Sequence, residues 1–513
     1  MILRKEIEKL EELEREVVLG EGREAIERQH AQGKLTARER IELLIDKGSF
    51  VELNMFAQHQ CHDFDMERRR PWGDVVVTGY GKIEGRMVYL YAQDFTALGG
   101  SVGFTHAEKI CNLIRMAQRA KAPVIALIDS SGARIQEGSG AYSLVFYQNI
   151  MASGVVPQIS AIMGNCAGGG VYSPALTDFI FMVDGTSQMF ITGPAVIREA
   201  TGEEISMQDL GGAKPQSEIS GNCDFVARGE EECLKMIKKL MSFLPPSYLE
   251  KPLVLDTGDD SNRCDESLLD VLPENPRAAF DMHQIISKIV DNGDFFEVKA
   301  RFARNIITGF ARLGSYSVGI VANQPLIAAG CLDCDVSDKA ARFYRFCDCF
   351  NIPIICLVDV PGYLPGVKEE HKGIIRHGAK MLYAFSEASV PKITCIIRKA
   401  YGGAYSAMGA KAMGSDIIFA WPSAEVAVMG PEGAVSILYR KEIEKAEDKE
   451  QFRKQKITEY RERFTTPYYG ASRQIVDRII KPQETRPELI KALDLLRNKS
   501  QTMPGKKHGN IPL

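Results

Sequence analysis

Two stretches of this 513-residue chain place the same residue types in the same order, Asn165–Leu176 (NCAGGGVYSPAL) and Arg398–Met408 (RKAYGGAYSAM). In each, an apolar run (ISAIM, ITCII) leads into a glycine pair and then a Tyr-Ser dipeptide. Glycine has no Cβ, so a ligand oxygen can come close to the backbone and unusual φ values cost little. If a helix begins there, its first N–H groups lack intrahelical partners and the helix dipole adds partial positive charge. The pattern predicts an oxyanion hole, which stabilises negative charge developing on a carbonyl oxygen. Two holes suit a reaction in which both partners pass through enolate-like states. One carbonyl then lies beside the carbon that loses a proton, and the other lies on the group carrying what is transferred. The competing reading is that the glycines only permit tight strand–helix packing, and their recurrence at matching positions argues against it.

Other motifs are less specific. Gly99-Gly100-Ser101-Val102-Gly103 fits G-x-S-x-G between a strand-like run and a helix, with His106 close behind, and makes a serine hydrolase the alternative. Cys331-x-x-Cys334, followed by Cys347 and Cys349, has poor spacing for structural zinc and lies in IAAGCLDC, which reads as an apolar strand, so no metal site is expected. HQCHDFD at His59–Asp65 reads as a solvated loop. No G-x-x-x-x-G-K-[ST] phosphate loop occurs. DSSGARIQEG and DVPGYLPG follow equivalent strands, where ligands of α/β sheets usually bind, although tight turns would read the same way.

The elements that would position these motifs are written twice. From Val75 onward short β-rich runs alternate with helical stretches, and the second half repeats the order of the first. Pro123 and Pro353 are 230 apart, as are Asp129 and Asp359; Gly168 and Gly402 are 234 apart; Gly193 and Gly430 are 237 apart. A drift this small indicates an internal duplication. The fold class expected is α/β, in two duplicated domains at 1–250 and 251–513, each a mostly parallel sheet covered by helices. The linker is expected within Leu244–Ser267. Before Val75 the first 50 residues look helical, with Leu3, Ile7, Leu10 and Leu13 on one face to pack against a domain surface or a neighbouring subunit.

Bulk properties exclude several classes. A composition 45% hydrophobic and 25% charged is that of a globular protein, and a net charge of -4 gives no reason to expect nucleic acid or an anionic membrane. The N-terminus, MILRKEIEKLEELEREV, has no apolar signal region, and no run approaches the length of a membrane span. Twelve cysteines without a short secreted framework point to reduced thiols in the cytoplasm.

Along nearly its whole length the sequence resembles the carboxyltransferase subunits of biotin-dependent acyl-CoA carboxylases and decarboxylases, of the propionyl-CoA carboxylase β and methylmalonyl-CoA decarboxylase α type. The resemblance is carried by SGARIQEG, ASGVVPQISAIMGNCAGGGVYSPALTDF, VDVPGYLPG, GIIRHGAKMLYAFSEASVPKIT, RKAYGGAY, AWPSAEVAVMGPEGA and the terminal KKHGNIPL. It implies two crotonase-like (ClpP/crotonase) domains built as β-β-α superhelices, the first for acyl-CoA and the second for biotin. It further implies a homohexamer in which the first domain of one subunit meets the second domain of another. By motif, Gly168 and Gly169 would hold the thioester oxygen, and Gly403 and Ala404 the biotin ureido oxygen. Gly132, Ala133, Tyr172, Tyr405 and Ser406 would line the substrate pockets. No M-K-M biotinylation motif occurs, so biotin would arrive on a carrier protein, with a biotin carboxylase subunit or a membrane decarboxylase subunit as further partner. Ser131, Phe104, Ser406 and a shortened loop after Gly138 depart from the family pattern near the implied acyl pocket. Another crotonase-type or hydrolytic enzyme, such as an acyl-CoA hydrolase, using Ser101 or an unrecognised carboxylate, and a non-catalytic scaffold are the remaining alternatives.

Overall fold

The computed structural model describes residues 2–276 and 278–512; Leu513, which ends the KKHGNIPL match, lies outside them. The chain divides into two compact units, Met1–Glu250 and Lys251–Leu513. The division falls inside the polar, Pro-rich stretch from Leu244. Tyr248 N–H there still donates to Val155 O in the first unit (3.2 Å), whereas Leu255 N–H donates to Ser315 O in the second (3.1 Å).

The first unit has eight strands: β1 (Val51–Leu53), β2 (Val76–Ile83), β3 (Arg86–Gln93), β4 (Val124–Ser130), β5 (Gln158–Ala167), β6 (Phe179–Val183), β7 (Gln188–Phe190) and β8 (Phe225–Ala227). Its sheet runs β1-β2-β3-β4-β5-β6-β8, with β7 paired to the far end of β5. The second unit has β9 (Phe295–Val298), β10 (Ile306–Leu313), β11 (Tyr316–Asn323), β12 (Ile354–Val360), β13 (Lys392–Tyr401), β14 (Ile417–Ala420), β15 (Glu425–Ala427) and β16 (Arg478–Ile479). Read from β9, its order is the same, β9-β10-β11-β12-β13-β14-β16, and β15 pairs β13 as β7 pairs β5.

In both units the sheet is parallel from its third strand on, and the first three strands are antiparallel. The hairpins β2–β3 and β10–β11 turn through two residues, Glu84-Gly85 and Gly314-Ser315, all at positive φ as a two-residue hairpin of matching twist requires. Strands β4 (VIALIDS) and β12 (IICLVDV) are buried at every position, which explains their unbroken apolar runs. Helix 104–120 covers one face of the first sheet, setting Ile110 and Ile114 against Val124, Ala126 and Ile128. Helices 282–289 and 485–496 cover the second, where Trp421 lies fully buried and donates its indole N–H to Thr485 Oγ1.

Several expectations need correction. The first 50 residues form three helices, 2–19, 23–31 and 37–44, as expected, but Leu3, Ile7 and Leu10 stay exposed and only Val17 of the first helix is buried, so of the two packing partners expected for that face this chain's own domain surface is not the one used. HQCHDFD is not a uniformly solvated loop: His59 is fully buried with its Nε2 2.7 Å from Arg69 O, and a 3-10 turn begins at Asp63. IAAGCLDC is not a strand, because Ala328, Ala329 and Gly330 take positive φ and helix 334–349 starts at Cys334. No group of three or more His, Cys, Asp or Glu among the described residues is placed to hold a metal ion.

Candidate active site

The two glycine turns begin in the same way. Strand β5 ends at Ala167, and Gly168 follows at φ +61; strand β13 ends at Tyr401, and Gly402 follows at φ +57. A 3-10 turn (168–171) continued by helix 172–175 leaves the first, and helix 402–407 leaves the second. In each turn the first glycine is half-buried, the second (Gly169, Gly403) exposed, and the third residue (Gly170, Ala404) buried. Gly169 is therefore the counterpart of Gly403, and Gly170 of Ala404. The N–H groups of Gly403 and Ala404 sit in a first helical turn, where no intrahelical carbonyl is available to them.

Side chains leave the exposed glycines uncovered. A Cβ on Gly403 would meet nothing nearer than Tyr363 Cε2 at 4.0 Å, and one on Gly169 nothing nearer than Tyr142 Cδ2 at 3.6 Å. At Gly402, by contrast, a Cβ would stand 2.8 Å from Val428 O. The first and second glycines thus differ in role: one makes the bend, the other keeps an open face.

Tyrosines border both turns. Tyr363, in the loop after β12, and Tyr405, inside helix 402–407, have buried hydroxyls without a hydrogen-bond partner among the described residues. Burial pushes the Tyr363 phenol up to about 12, and pushes Tyr405 up as well. In the first unit Tyr142 lies over Gly170, and Phe146 stacks on Tyr142 while meeting Tyr172 edge-on at 5.9 Å. Tyr172 is exposed and Ser406 half-buried. Gly132 takes φ +107 against the end of β5, where a Cβ would lie 3.1 Å from Ala167 O, and Ala133 pairs with Val102 in an isolated bridge. The structure thus brings Gly132, Gly168 and Gly169 to one end of the first sheet, and Gly403, Ala404, Tyr405 and Ser406 to the corresponding end of the second. Tyr142 and Tyr363 were not singled out from the sequence; the one available signal was that Tyr363 sits in the DVPGYLPG loop.

The serine alternative has no machinery. Ser101 is largely buried, and its Oγ accepts from Arg134 Nε at 3.3 Å. His106 is fully buried, with Nδ1 3.1 Å from Asp74 O and Nε2 3.3 Å from the Gln93 amide, so it does not reach Ser101. Burial, then the positive charges of Arg134 and Lys109, hold its imidazole well below the usual range and neutral. Gly99-Gly100-Ser101 is the counterpart of Ala329-Gly330-Cys331, a positive-φ turn that both units use after the third strand of the sheet.

A cleft of about 310 Å³ in the second unit, between Lys251, Tyr316, Ser389 and Lys499, lies at the opposite, N-terminal ends of β11–β13. No glycine turn borders it.

The chain matches the family of the carboxyl transferase domain over residues 28–511. It is 52% identical over 512 residues to the methylmalonyl-CoA decarboxylase subunit alpha of Propionigenium modestum, covering 99% of both chains. It is also 52% identical over 510 residues to the propionyl-CoA carboxylase beta chain of Roseobacter denitrificans, again covering 99% of both. Among solved structures it resembles a chain of the transcarboxylase 12S hexamer with bound methylmalonyl-CoA, at a TM-score of 0.97 and 49% identity, covering 99% of this chain and 98% of that one. Among the described residues no helix is long and apolar enough to cross a membrane. With its two duplicated α/β units and matching turns, the chain belongs to the carboxyl transferase domain family.

Proposed function

We propose that this protein transfers a carboxyl group between carboxybiotin, borne on a separate carrier protein, and the α-carbon of a short acyl-CoA of the propionyl/methylmalonyl class. The observation that carries this reading is the repeated glycine turn, with an open second glycine in each unit. The donors we assign are Gly403 and Ala404 for the ureido oxygen of biotin, and Gly169 with its neighbours Gly168 and Gly170 for the thioester oxygen. Biotin fits the second turn. Its ureido oxygen is a strong acceptor, the space over Gly403 is open, and the unpartnered Tyr363 and Tyr405 hydroxyls lie beside the turn.

Carboxybiotin would supply the carboxyl group as carbon dioxide, and the biotin ureido anion left by that loss would take up the proton released by the acyl α-carbon. The chain's own part is electrostatic. As the α C–H bond breaks, its electron pair moves toward the thioester oxygen, and the amides at Gly169 stabilise that charge. The α-carbon then bonds to carbon dioxide. In the second unit Gly403 and Ala404 stabilise negative charge on the ureido oxygen through the same stages. No side-chain base is needed, which agrees with a site built from glycines and tyrosines and with His106 committed elsewhere.

Assembly as a homohexamer, like the transcarboxylase core, is part of this reading. So are partnership with a biotin carboxyl carrier protein and with either a biotin carboxylase subunit or a membrane decarboxylase subunit. The twelve cysteines are all free and eight are buried, which supports a reducing, cytoplasmic location. The test is carboxyl transfer by purified protein from free N-carboxybiotin to acetyl-, propionyl-, butyryl- and glutaconyl-type CoA esters. Carboxylation of propionyl-CoA ahead of the others is the expected result. Acyl-CoA hydrolysis without biotin, and no transfer to any ester, would overturn it.

A further inference from the structure

Each glycine turn hangs on a strand that bends at the same place, and a buried carboxylate stands at each bend. Strands β4 and β5 pair regularly up to Ile128↔Ile162 and resume at Ser130↔Cys166, so Asp129 alone faces three residues of β5. Strands β12 and β13 do the same between Val358↔Ile396 and Val360↔Ala400, with Asp359 in the gap. Past the bend each strand changes neighbours. β5 leaves β6 after Ile162↔Met182 and joins β7 at Asn165↔Gln188, and β13 leaves β14 after Ile396↔Ala420 and joins β15 at Lys399↔Glu425. Gly168 and Gly402 follow three residues later.

The carboxylates hold these bends. Asp129 Oδ1 accepts the N–H of Asn165 at 3.2 Å, and Asp359 Oδ1 accepts the N–H of Lys399 at 2.9 Å. The cations that neutralise them come from different places. Asp129 Oδ2 accepts from two cations, Lys34 Nζ and Arg40 Nη2, at 3.1 Å each, and from the neutral Gln29 amide at 3.0 Å, all from the helical N-terminal region. Asp359 takes Arg398 Nη2 at 2.8 Å, from the bent strand itself. The position of Arg398 is held in the first unit by Gly164, where a Cβ would stand 2.1 Å from Asp129 Oδ1. Between the two copies the cation has changed sides while the carboxylate and its bond to the bent strand have stayed. Charge pairing alone does not require both carboxylates to face the same N–H; holding the bend does.

We propose that Asp129 and Asp359 are positioning residues, each fixing the strand end so that the N–H groups of its glycine turn point at the ligand oxygen. The assignment rests on the carboxyl-transfer reading. Misplacement of oriented groups by about 1 Å can cost about 100-fold in rate. The test uses the full-length assembled protein with free N-carboxybiotin and propionyl-CoA. Asp129→Ala and Asp359→Ala are expected to lower kcat for transfer about 10-fold to 100-fold with each KM within about threefold. Gly164→Ala keeps every charge but displaces the Asp129 carboxylate, and it is expected to match Asp129→Ala. In an Arg398→Met background, Asp359→Asn still offers an oxygen to Lys399 N–H and rescues kcat at least about fivefold over Asp359→Ala in the same background. Decarboxylation of carboxybiotin without acyl-CoA separates the units: Asp359→Ala slows it, and Asp129→Ala changes it less than about twofold. Absence of the Asn rescue, KM effects in place of kcat effects, or equal loss of both reactions in both variants would overturn the proposal. Where an alanine variant does not assemble, the Asn rescue and Gly164→Ala decide. Wild-type protein that fails to transfer sinks the carboxyl-transfer reading; active wild type matched by its variants sinks this assignment alone.

Discussion

Replacing Gly403 by valine isolates the amide donors from the scaffold. The backbone at Gly403 is outside the left-handed region, and an added Cβ finds its nearest neighbour at 4.0 Å, so the chain itself accommodates the side chain. The methyl groups instead enter the space over the turn, where a ligand oxygen must come to about 2.9 Å from an amide nitrogen. Losing one such donor costs about 100-fold to 1,000-fold in rate, or about 2.7–4 kcal/mol of transition-state stabilisation. Gly403→Val should therefore cut kcat for transfer by at least about 100-fold, with circular dichroism and sedimentation unchanged. Gly402→Ala is the contrasting control. Its φ of +57 and its 2.8 Å approach to Val428 O make that change a structural one, with a stability loss of at least about 1–2 kcal/mol in denaturant unfolding. A Gly403→Val enzyme that assembles and transfers within about threefold of wild type would refute the use of this turn as an oxyanion hole.

Three further outcomes follow from the geometry. Ser101→Ala should leave carboxyl transfer within about twofold of wild type, because Ser101 Oγ accepts from Arg134 and has no base; a fall beyond about tenfold would reinstate the serine. A thiol reagent at pH 8 should titrate exposed Cys264 readily, while Cys166 and Cys356, each pushed up to about 12 by burial, react only after denaturation. Lys109 is buried, and burial lowers its ammonium from 10.5 to about 8 while Gly73 O and Val76 O accept from it. Between pH 8 and 10.5 the unfolded chain holds more protons at this site than the folded chain, so stability rises with pH. Relative to Lys109→Met, wild type should gain up to about 3 kcal/mol across that window in urea titrations, and a flat difference would contradict the shift.

The duplication was legible in the sequence because offsets survive where contacts are invisible: Pro123/Pro353 and Gly168/Gly402 mark the strand order that the two sheets share. The glycine turns were legible for the same reason, since a positive φ at a strand end selects glycine whatever surrounds it. The short edge strands β1 and β9, of three and four residues, carry too little pattern to read. His59 looked solvated among polar neighbours because its burial is decided by a carbonyl ten residues on, Arg69 O. The roles of Asp129 and Asp359 stayed hidden because Lys34 and Arg40 are about ninety residues from Asp129, and the bend it fills depends on pairing between strands. Ser101 kept a hydrolase alternative open because a turn that positions backbone in both units happens to spell a hydrolase motif.

The change of neighbours along β5 and β13 has a further consequence. β7 and β15 each contribute only three paired residues, so the rim of each site is a short ladder grafted onto a long one. Substitutions in the rim and in the segments that follow it, which expose Ile191 and Val428, can recut the mouth without unzipping the sheet beneath. In the first unit, to which the acyl group is assigned, selection for a longer or bulkier thioester thus has a route through Ile191 and its neighbours that leaves the amides untouched, so the mouth can change while the chemistry stays the same.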